Sequence, residues 1–333
     1  MPDKARWSPA PGATALITGA QGFIGSWLAQ RLLEEGARVV VPRRDVAPDS
    51  RFRTEGVEER CTVVLADLQE HQALVRILNE HDVSAVFHLA AQTIVGTANR
   101  SPLSTFEANV RGTYNLLEAC RVVGAAGDPV ERVVVASSDK AYGSHETLPY
   151  REDFALQPRF PYDVSKACTD MIARSYAFTY EMPVAVTRFA NIYGGGDLNW
   201  SRIVPDTCRA LAKGERPVIR SDGSPERDYL YVEDAVEAYL AVAGSLDRPE
   251  LRGRAWNAGW GEPLSVLDIV GRLVRASGRA LDPDVRGTGT PHGEIDRQFL
   301  DSRAIREELG WRPALGLDEG LGRTFAWYEQ RLS

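Results

Sequence analysis

A phenol and an ammonium group one helical turn apart are the best-placed chemical groups in this sequence. Tyr162 and Lys166 fall in a predicted helix over residues 162–180, so their side chains lie on the same face. An ammonium beside a phenol stabilises the phenolate, and we therefore expect Lys166 to lower the pKa of Tyr162. The pair predicts a base that acts on a substrate hydroxyl. A core tyrosine with a solvated lysine is the structural alternative.

Asp139 and Lys140 form a charged pair just after the apolar run 132–136, which predicts a buried strand. Elimination of water beside a new ketone needs one acid and one base beyond the tyrosine, and this pair could supply them. A lysine is a base only when neutral, and the adjacent carboxylate favours its charged form. Either the two side chains point apart, as strand neighbours do, or Lys140 is a proton-bearing partner. A surface turn with two solvated charges is the structural alternative.

Short strand-like runs alternate with amphipathic stretches over the first half of the chain. We predict strands at 13–18, 38–41, 61–65, 85–89, 132–136 and 184–189, and helices at 24–35, 71–80, 103–123 and 162–180. This alternation predicts an α/β fold with a doubly wound parallel sheet, a Rossmann domain over residues 1–189. Residues 190–333 are irregular and predict a smaller substrate-binding region, with part of 230–260 returning to the main sheet.

A glycine-rich segment between the first strand and the first helix is the predicted cofactor loop. Gly19, Gly22 and Gly25 permit a tight turn and a close approach of the backbone to a pyrophosphate. Phe23 and Ile24 begin the helix, whose N-terminus favours the negative charge of that group. A loop with three glycines can also arise from turn geometry alone.

Further predicted strand ends lie at the same carboxyl edge of the sheet, where such folds bind ligands. The cofactor contacts expected there are Asp67, Leu68, Leu89, Ala90 and Ala91. Asp67 would accept a hydrogen bond from an adenine amino group or, alternatively, cap the next helix. Gln92 follows directly and is assigned to the substrate.

Arg43 and Arg44 follow the second predicted strand, at the position that selects between dinucleotides. An acidic residue there binds the ribose hydroxyls of NAD, whereas an arginine accepts the 2′-phosphate of NADP. Arg43 therefore favours NADP, although two solvated surface arginines are an alternative interpretation. The expected cofactor is NAD or NADP.

Composition narrows the classes of partner. The chain has 333 residues and a formal net charge of -7, which argues against a broad basic surface for nucleic acid. No apolar run is long enough to span a membrane, and no signal peptide is predicted. We expect a cytoplasmic protein without a metal site, because the cysteines lack zinc-site spacing and are predicted to be reduced thiols. They are Cys61, Cys120, Cys168 and Cys208.

Taken together, these motifs resemble those of the extended short-chain dehydrogenase/reductase family. The matching segments are Thr18 to Gly25, Leu89-Ala90-Ala91, Ser137-Ser138, Tyr162-Asp163-Val164-Ser165-Lys166 and Arg227-Asp228-Tyr229. The resemblance implies that Ser138 and Tyr162 contact the reacting hydroxyl and that Lys166 contacts the ribose of a tightly bound, recycled cofactor. It also implies a nucleotide-activated sugar as substrate.

Several stretches are similar to the CDP-glucose 4,6-dehydratase subgroup of that family. They are Gly25-Ser26-Trp27-Leu28, Ser138-Asp139-Lys140, Gly194-Gly195-Gly196-Asp197 and Arg202-Ile203-Val204-Pro205-Asp206. This similarity implies a nucleotide-sugar 4,6-dehydratase. The segment from Arg227 to Val232 instead resembles the sugar-epimerase pattern, so a 4-epimerase or a keto-sugar reductase is the alternative. A dinucleotide sensor without turnover would have no reason to keep Ser138, Tyr162 and Lys166 together.

The second half of the chain supplies the expected grip on the nucleotide. Asn191, Arg202 and Arg227 are assigned to the substrate, with Arg227 suited to a pyrophosphate because its guanidinium is a planar fork. Each arginine could instead be a surface charge. The predicted helices 103–123 and 162–180 have apolar faces on more than one side, and the family resemblance implies that they join two subunits in a homodimer.

Overall fold

A computed structural model describes residues 6–127, 129–289 and 295–332. The strands are β1 (Thr14–Thr18), β2 (Arg38–Arg43), β3 (Thr62–Leu65), β4 (Val83–His88), β5 (Arg132–Ala136), β6 (Val184–Phe189), β7 (Asn191–Tyr193), β8 (Val218–Ile219), β9 (Glu226–Arg227), β10 (Tyr229–Tyr231), β11 (Ala255–Ala258), β12 (Leu264–Ser265), β13 (Asp284–Val285) and β14 (Arg297–Gln298).

The α-helices connect these strands and cover the main sheet. They are α1 (Phe23–Glu34), α2 (Arg51–Thr54), α3 (His71–Glu80), α4 (Val95–Arg100), α5 (Pro102–Phe106), α6 (Gly112–Ala125), α7 (Pro161–Tyr180), α8 (Ile203–Ala212), α9 (Val232–Ser245), α10 (Val266–Ala276) and α11 (Leu317–Leu332). Short 3₁₀ turns lie at Glu58–Arg60, Asp139–Tyr142 and Pro249–Leu251. Within the described ranges, no helix has both the length and the apolar character that a membrane span requires.

One parallel sheet organises the first lobe, in the order β11-β6-β5-β4-β1-β2-β3. Its central strands are buried on both faces, which is why β5 reads as an uninterrupted apolar run in the sequence. One hydrophobic core lies against α1 and α9, and a second lies against α3, α6 and α7. This architecture confirms the predicted doubly wound α/β fold.

The second lobe is built from three small sheets, β7 with β10, β8 with β13, and β9 between β12 and β14. Helices α8, α10 and α11 enclose its core. Two elements beyond residue 189 belong to the first lobe. Strand β11 pairs with β6 in the main sheet, and helix α9 packs against the first core. The division at residue 189 stays a prediction.

The predicted helix 103–123 is interrupted in the structure. A π-helical turn at Glu107–Arg111 separates α5 from α6. It holds Asn109, whose carbonyl oxygen accepts hydrogen bonds from the hydroxyls of Thr113 and Thr169. Apolar periodicity does not reveal such a turn because the same face stays buried through it.

The predicted second strand also extends further than expected. β2 continues through Arg43, because Pro42 and Arg43 remain in register with Val64 and Leu65 of β3. The side chain of Arg43 therefore leaves the sheet at its carboxyl edge.

A buried ion pair lies beneath the carboxyl end of β5. The Arg188 guanidinium on β6 donates to both carboxylate oxygens of Asp170 on α7, at 2.7 and 2.9 Å. Arg188 also donates to the Tyr142 hydroxyl, which donates to Asn257 on β11. These bonds join the 3₁₀ turn after β5 to β6, to β11 and to α7.

Replacement of Asp170 tests how far the buried ion pair with Arg188 stabilises the fold. Asp170→Ala should lower the free energy of unfolding by about 3 to 5 kcal/mol, because it leaves a buried guanidinium without its carboxylate. Urea unfolding measures the change. The matched control is Asp153→Ala, which removes an exposed partner of Arg151 and should leave stability near that of the wild type. Equal effects of the two replacements would contradict the supporting role of the buried pair.

Candidate active site

The glycine loop after β1 is shaped to let another backbone segment and an anion come close. Gly19 has a φ of +77°, and a Cβ there would lie 2.7 Å from the backbone nitrogen of Ala90. A Cβ on Gly25 would collide with the Gly19 carbonyl oxygen. Helix α1 begins at Phe23 after Gly22, with no side-chain cap on its free N–H groups. The loop therefore fits a dinucleotide pyrophosphate.

Three buried side chains hold the segment after β4 against this loop. The Thr18 hydroxyl bonds the His88 ring at 2.7 Å and accepts a hydrogen bond from the Ala90 N–H. The second ring nitrogen of His88 bonds Thr113 on α6. Burial and the charge of Lys166 lower the pKa of His88 to about 3, so the ring is neutral. His88 thus positions the loop, a role that its place at the end of an apolar strand did not indicate.

Asp139 and Lys140 lie in a 3₁₀ turn that Ser138 caps, just after β5, which ends at Ala136 as predicted. The Ser138 hydroxyl accepts from the Lys140 N–H at 3.2 Å and donates to Asp139 Oδ1 at 3.0 Å. Asp139 is only 4% exposed, which excludes a solvated surface carboxylate. Its Oδ2 is buried without a hydrogen-bond partner among the described residues.

Desolvation dominates the electrostatics of Asp139. Burial raises the pKa of this carboxyl, while the charges of Lys140 and Arg227 and the hydrogen bond from Ser138 pull it back down. A buried carboxyl of this kind can hold a proton that a solvated aspartate would lose. It can then donate that proton to a group placed beside Oδ2.

Tyr162 and Lys166 are both buried on α7, next to the end of β5. The Lys166 ammonium donates to the Ala136 carbonyl oxygen at 2.8 Å, and burial lowers the pKa of Lys166 to about 8. Burial raises the pKa of Tyr162 to about 12, offset in part by the charge of Arg202 and a hydrogen bond with Ser138. The expected lowering by Lys166 is not found, because its ammonium is directed to Ala136.

The second lobe brings cationic side chains to the same place. Arg202 pairs with Asp197 at 3.1 Å, yet its charge also reaches Tyr162. The buried Arg227 donates to the carbonyl oxygens of Glu226 and Asp296. Its charge lowers the pKa of Asp139. Of the two arginines assigned to the substrate from the sequence, Arg202 therefore acts on the phenol of Tyr162 and Arg227 acts on the carboxyl of Asp139.

Asn191 begins β7, also in the second lobe. It is half-buried, and its backbone N–H and side-chain amide both donate to the Asp228 carbonyl oxygen, at 3.1 and 3.5 Å. Nothing in the described contacts engages its side-chain oxygen. Its assignment to the substrate phosphates stays a prediction.

Some residues assigned from the sequence have local partners instead. Asp67 Oδ1 accepts from the Gln69 N–H at 2.9 Å in the turn before α3, and it does not cap that helix, whose N-cap is Glu70. Leu68 lies against Gly112. The Gln92 side chain bonds the backbone of Ile94. Their ligand contacts stay predictions.

The two arginines after β2 are also engaged. Arg43 pairs with Glu58 at 2.5 Å, and Arg44 pairs with the adjacent Asp45 at 2.6 Å. Arg44 and Asp45 are both well exposed, whereas Arg43 and Glu58 are about three-quarters covered. The solvated interpretation fits Arg44 and not Arg43.

Three buried polar residues beside the site were missed by the sequence predictions. Asp163 is buried next to Tyr162, and burial raises its pKa to about 6 against the charge of Lys140. Gln298 pairs in register with Arg227 and is buried, with neither amide atom partnered among the described groups. Asp228 accepts from the N–H groups of residues 260 and 261, and burial raises its pKa to about 7. Asp163 and Asp228 lie within motif segments that could have indicated them, whereas no signal in the sequence indicated Gln298.

Comparisons with known proteins agree with this geometry. The model of the GDP-mannose 4,6 dehydratase family matches residues 16–324. A CDP-glucose 4,6-dehydratase of Salmonella typhimurium is 30% identical, over 99% of this chain and 93% of its own length. A UDP-glucose 4-epimerase of Mycolicibacterium smegmatis is 31% identical, over 95% and 98%.

Solved structures show the same architecture. A crystal structure of the dTDP-glucose 4,6-dehydratase DesIV from Streptomyces venezuelae, with NAD bound, superposes with a TM-score of 0.83 at 29% identity. The match covers 95% of this chain and 97% of that one. The fold and site define a nicotinamide-dependent enzyme of the extended short-chain dehydrogenase/reductase family. Within it, the chain belongs to the nucleotide-sugar dehydratase and epimerase group, and NAD is the cofactor that the related structures support.

The buried carboxyl of Asp163 should make stability depend on pH. Its pKa rises on folding from 3.8 to about 6, so the folded state favours the neutral form and loses stability as pH rises through about 6. Asp163→Asn should therefore raise the free energy of unfolding by about 2 to 3 kcal/mol at pH 8. The gain should shrink toward zero as pH falls to about 4. Urea unfolding across this pH range measures it.

Asp153→Asn is the control for this prediction, because Asp153 is an exposed carboxylate whose pKa is lowered by Arg151. It should give no gain at pH 8. A gain from Asp163→Asn that did not change with pH would mean that the carboxylate charge is not the cause.

Proposed function

We propose that this enzyme is a nucleotide-sugar 4,6-dehydratase that converts an NDP-hexose similar to CDP-glucose into the NDP-4-keto-6-deoxyhexose. The observation that carries the proposal is Asp139, a buried carboxyl with a raised pKa and an oxygen that lacks a partner among the described residues. Oxidation of a hydroxyl does not require such a group. Loss of the 6-hydroxyl does, because a hydroxyl leaves readily only when it is protonated.

The substrate would lie between the two lobes. Arg227 and Arg202, with Asn191 and Gln92, are the proposed contacts of the nucleotide and sugar, since a pyrophosphate suits the guanidinium groups. Gly19, Gly22 and Gly25 would hold the cofactor, with Lys166 at its ribose. These placements extend the sequence predictions. The charge of Arg227 lowers the pKa of Asp139, which supports the placement of Arg227 at the substrate.

In the proposed first step, Tyr162 removes the proton of the 4-hydroxyl while Ser138 bonds the same oxygen. The charge of Arg202 and the hydrogen bond with Ser138 oppose the effect of burial on the pKa of Tyr162 and so favour the phenolate that this step requires. NAD, when bound, would accept the hydride of C4 and later return it to C6. Ser138 donates to Asp139 and also lowers the pKa of Tyr162, so its hydroxyl offers a path between the phenol and the acid. The proton taken at O4 can therefore pass along this path to the carboxylate of Asp139.

In the proposed second step, the 4-ketone acidifies the C5 hydrogen. Tyr162, unprotonated again once its proton has passed to Asp139, takes the C5 proton and later returns it, and the electron pair left at C5 forms the C5–C6 double bond as the C6–O bond breaks. Asp139 donates its proton to the departing oxygen, so one water leaves and the carboxylate is regenerated. Hydride addition at C6 and proton return to C5 complete the product. Lys140, whose charge acts on Asp139 and Asp163, would stabilise the negative charge that builds up on the substrate. We favour this proton-bearing role for Lys140 over that of C5 base.

A 4-epimerase is the second candidate. Epimerisation needs the oxidation by Tyr162, Ser138 and Lys166 but neither Asp139 nor Lys140. The relative from Mycolicibacterium smegmatis and the segment Arg227 to Val232 favour this alternative.

The product of the reaction separates the two. Purified enzyme should be incubated with CDP-, UDP-, GDP- and dTDP-glucose and with GDP-mannose, and the products followed by mass. We expect at least one substrate, CDP-glucose first, to give a product lighter by one water. Conversion without change in mass would show an epimerase and refute the dehydratase proposal.

Asp139→Asn tests the acid. The amide cannot supply the proton, so we expect dehydration to slow by about a hundredfold or more. Oxidation at C4 should persist, and it would be seen as substrate-dependent absorbance of reduced nicotinamide. Asp153→Asn should leave both steps unchanged. If Asp139→Asn dehydrates at the wild-type rate, the acid is another group.

We also propose a homodimer through α6 and α7, in a cytoplasmic protein with free cysteines. Met171 and Phe178, one heptad apart on α7, are 62% and 66% exposed, and Tyr114 and Val122 are exposed on the adjacent α6. These side chains form an apolar surface that a second copy would cover.

Met171→Glu should disrupt that dimer, because it places a charge within the apolar surface. Size-exclusion chromatography with light scattering should show a shift from dimer to monomer. Val285→Glu, on the second lobe, should remain dimeric. A wild-type protein that is monomeric at micromolar concentration would overturn the proposal.

A further inference from the structure

One carboxylate at the carboxyl end of β2 is shared by two arginines. Glu58 Oε1 lies 2.5 Å from Nη1 of Arg43, and its Oε2 lies 3.0 Å from Nε of Arg53. Glu58 belongs to the 3₁₀ turn before β3, and its side chain is 22% exposed. Both oxygens are therefore held in a partly desolvated site, where ion pairs are stronger than on an open surface.

This site lies beside the cofactor loop. In a doubly wound fold, the residue at the end of the second strand faces the adenosine ribose of the dinucleotide. Here the connection is direct: Gln21, within the glycine loop, donates to the Asp45 carbonyl oxygen at 2.7 Å and accepts from the Ala47 N–H at 3.0 Å. The segment that follows Arg43 is thus bonded to the loop shaped for the pyrophosphate.

The charges at this edge are balanced within the protein. Arg43 and Arg53 face Glu58, while Arg44 pairs with Asp45 and also interacts with the charge of Asp67. A 2′-phosphate arriving here would have to displace the Glu58 carboxylate from Arg43 or lie beside it. Displacement would leave the half-buried Glu58 carboxylate without one of its two arginines, and binding beside it would place two anions together.

We propose that Glu58 is a specificity-determining residue that makes the enzyme select NAD over NADP by occupying the guanidinium of Arg43. The arginine after β2 would favour NADP by itself, and Glu58 acts as an internal anion that blocks it. The ribose hydroxyls of NAD carry no charge, so they can approach without separating the pair. This inference rests on dinucleotide binding and not on whether the reaction is dehydration or epimerisation.

The nucleotide that the protein carries provides the test. Purified protein is equilibrated with an equimolar mixture of NAD and NADP, freed of unbound nucleotide, denatured, and the released nucleotides are quantified by mass spectrometry. Wild-type protein should release mainly NAD. Glu58→Gln should raise the NADP to NAD ratio roughly tenfold or more, as expected for one charge-assisted contact to a phosphate.

Two variants control this measurement. Glu59→Gln removes an exposed neighbouring carboxylate and should leave the ratio at its wild-type value. The double variant Arg43→Gln with Glu58→Gln should lose the gain, because the freed guanidinium is absent. A far-UV circular dichroism spectrum like that of the wild type shows that each variant is folded. A wild-type protein that carries mainly NADP, or an unchanged ratio in Glu58→Gln, would overturn the proposal.

If Glu58→Gln fails to fold, Glu58→Ala with the same readout replaces it. If the wild-type protein releases neither nucleotide, the cofactor assignment itself is wrong. A product panel that reveals epimerisation would leave the nucleotide ratio unaffected, so the two proposals fail separately.

Discussion

Desolvation of the Asp139 carboxyl is the constraint around which this site is arranged. Transfer of a carboxylate out of water is costly unless it is paired and hydrogen-bonded. Here one oxygen receives a bond from Ser138, and the charges of Lys140 and Arg227 act on it, yet burial still raises the pKa. The protein therefore tolerates a high-energy group at the edge of a well-packed sheet. Such groups are expected where chemistry requires them.

The rigid surroundings of the 3₁₀ turn make that tolerance possible. The turn is capped by Ser138 and is joined through Tyr142 to Arg188, Asp170 and Asn257, all in the buried layer beneath it. Tyr150 stacks on Tyr142 and bonds the Gly143 carbonyl oxygen. Because the polar groups of this layer are hydrogen-bonded to one another, they fix the position of the turn above them.

Two lobes are needed because neither contains the full set of charges. The first lobe supplies the phenol, the ammonium and the acid, while the second supplies the guanidinium groups of Arg202 and Arg227 that act on them. The chain leaves the main sheet after β6 and returns to it at β11, so the backbone connects the two lobes more than once.

The sequence predicted the elements with regular patterns and those with distinctive motifs. Alternating apolar runs predicted the order of elements in the first lobe, and the glycine spacing indicated a tight loop after β1, in which Gly19 and Gly25 leave no room for a Cβ. The interruption at Asn109, the 3₁₀ geometry of Asp139 and Lys140, and the pairing of Arg43 with Glu58 could not be read from it. Each depends either on a partner that is distant in the sequence or on a turn whose buried residues continue the pattern of the elements beside it.

The central claim is that one hydroxyl is oxidised so that another can leave. CDP-glucose carrying deuterium at C4 tests it directly, by the position of the label in the isolated product. The account predicts that deuterium appears at C6 of a 4-keto-6-deoxy sugar that has lost one water, since the hydride removed at C4 returns at C6. Deuterium found again at C4, in a sugar that retains all of its oxygen atoms, would contradict it.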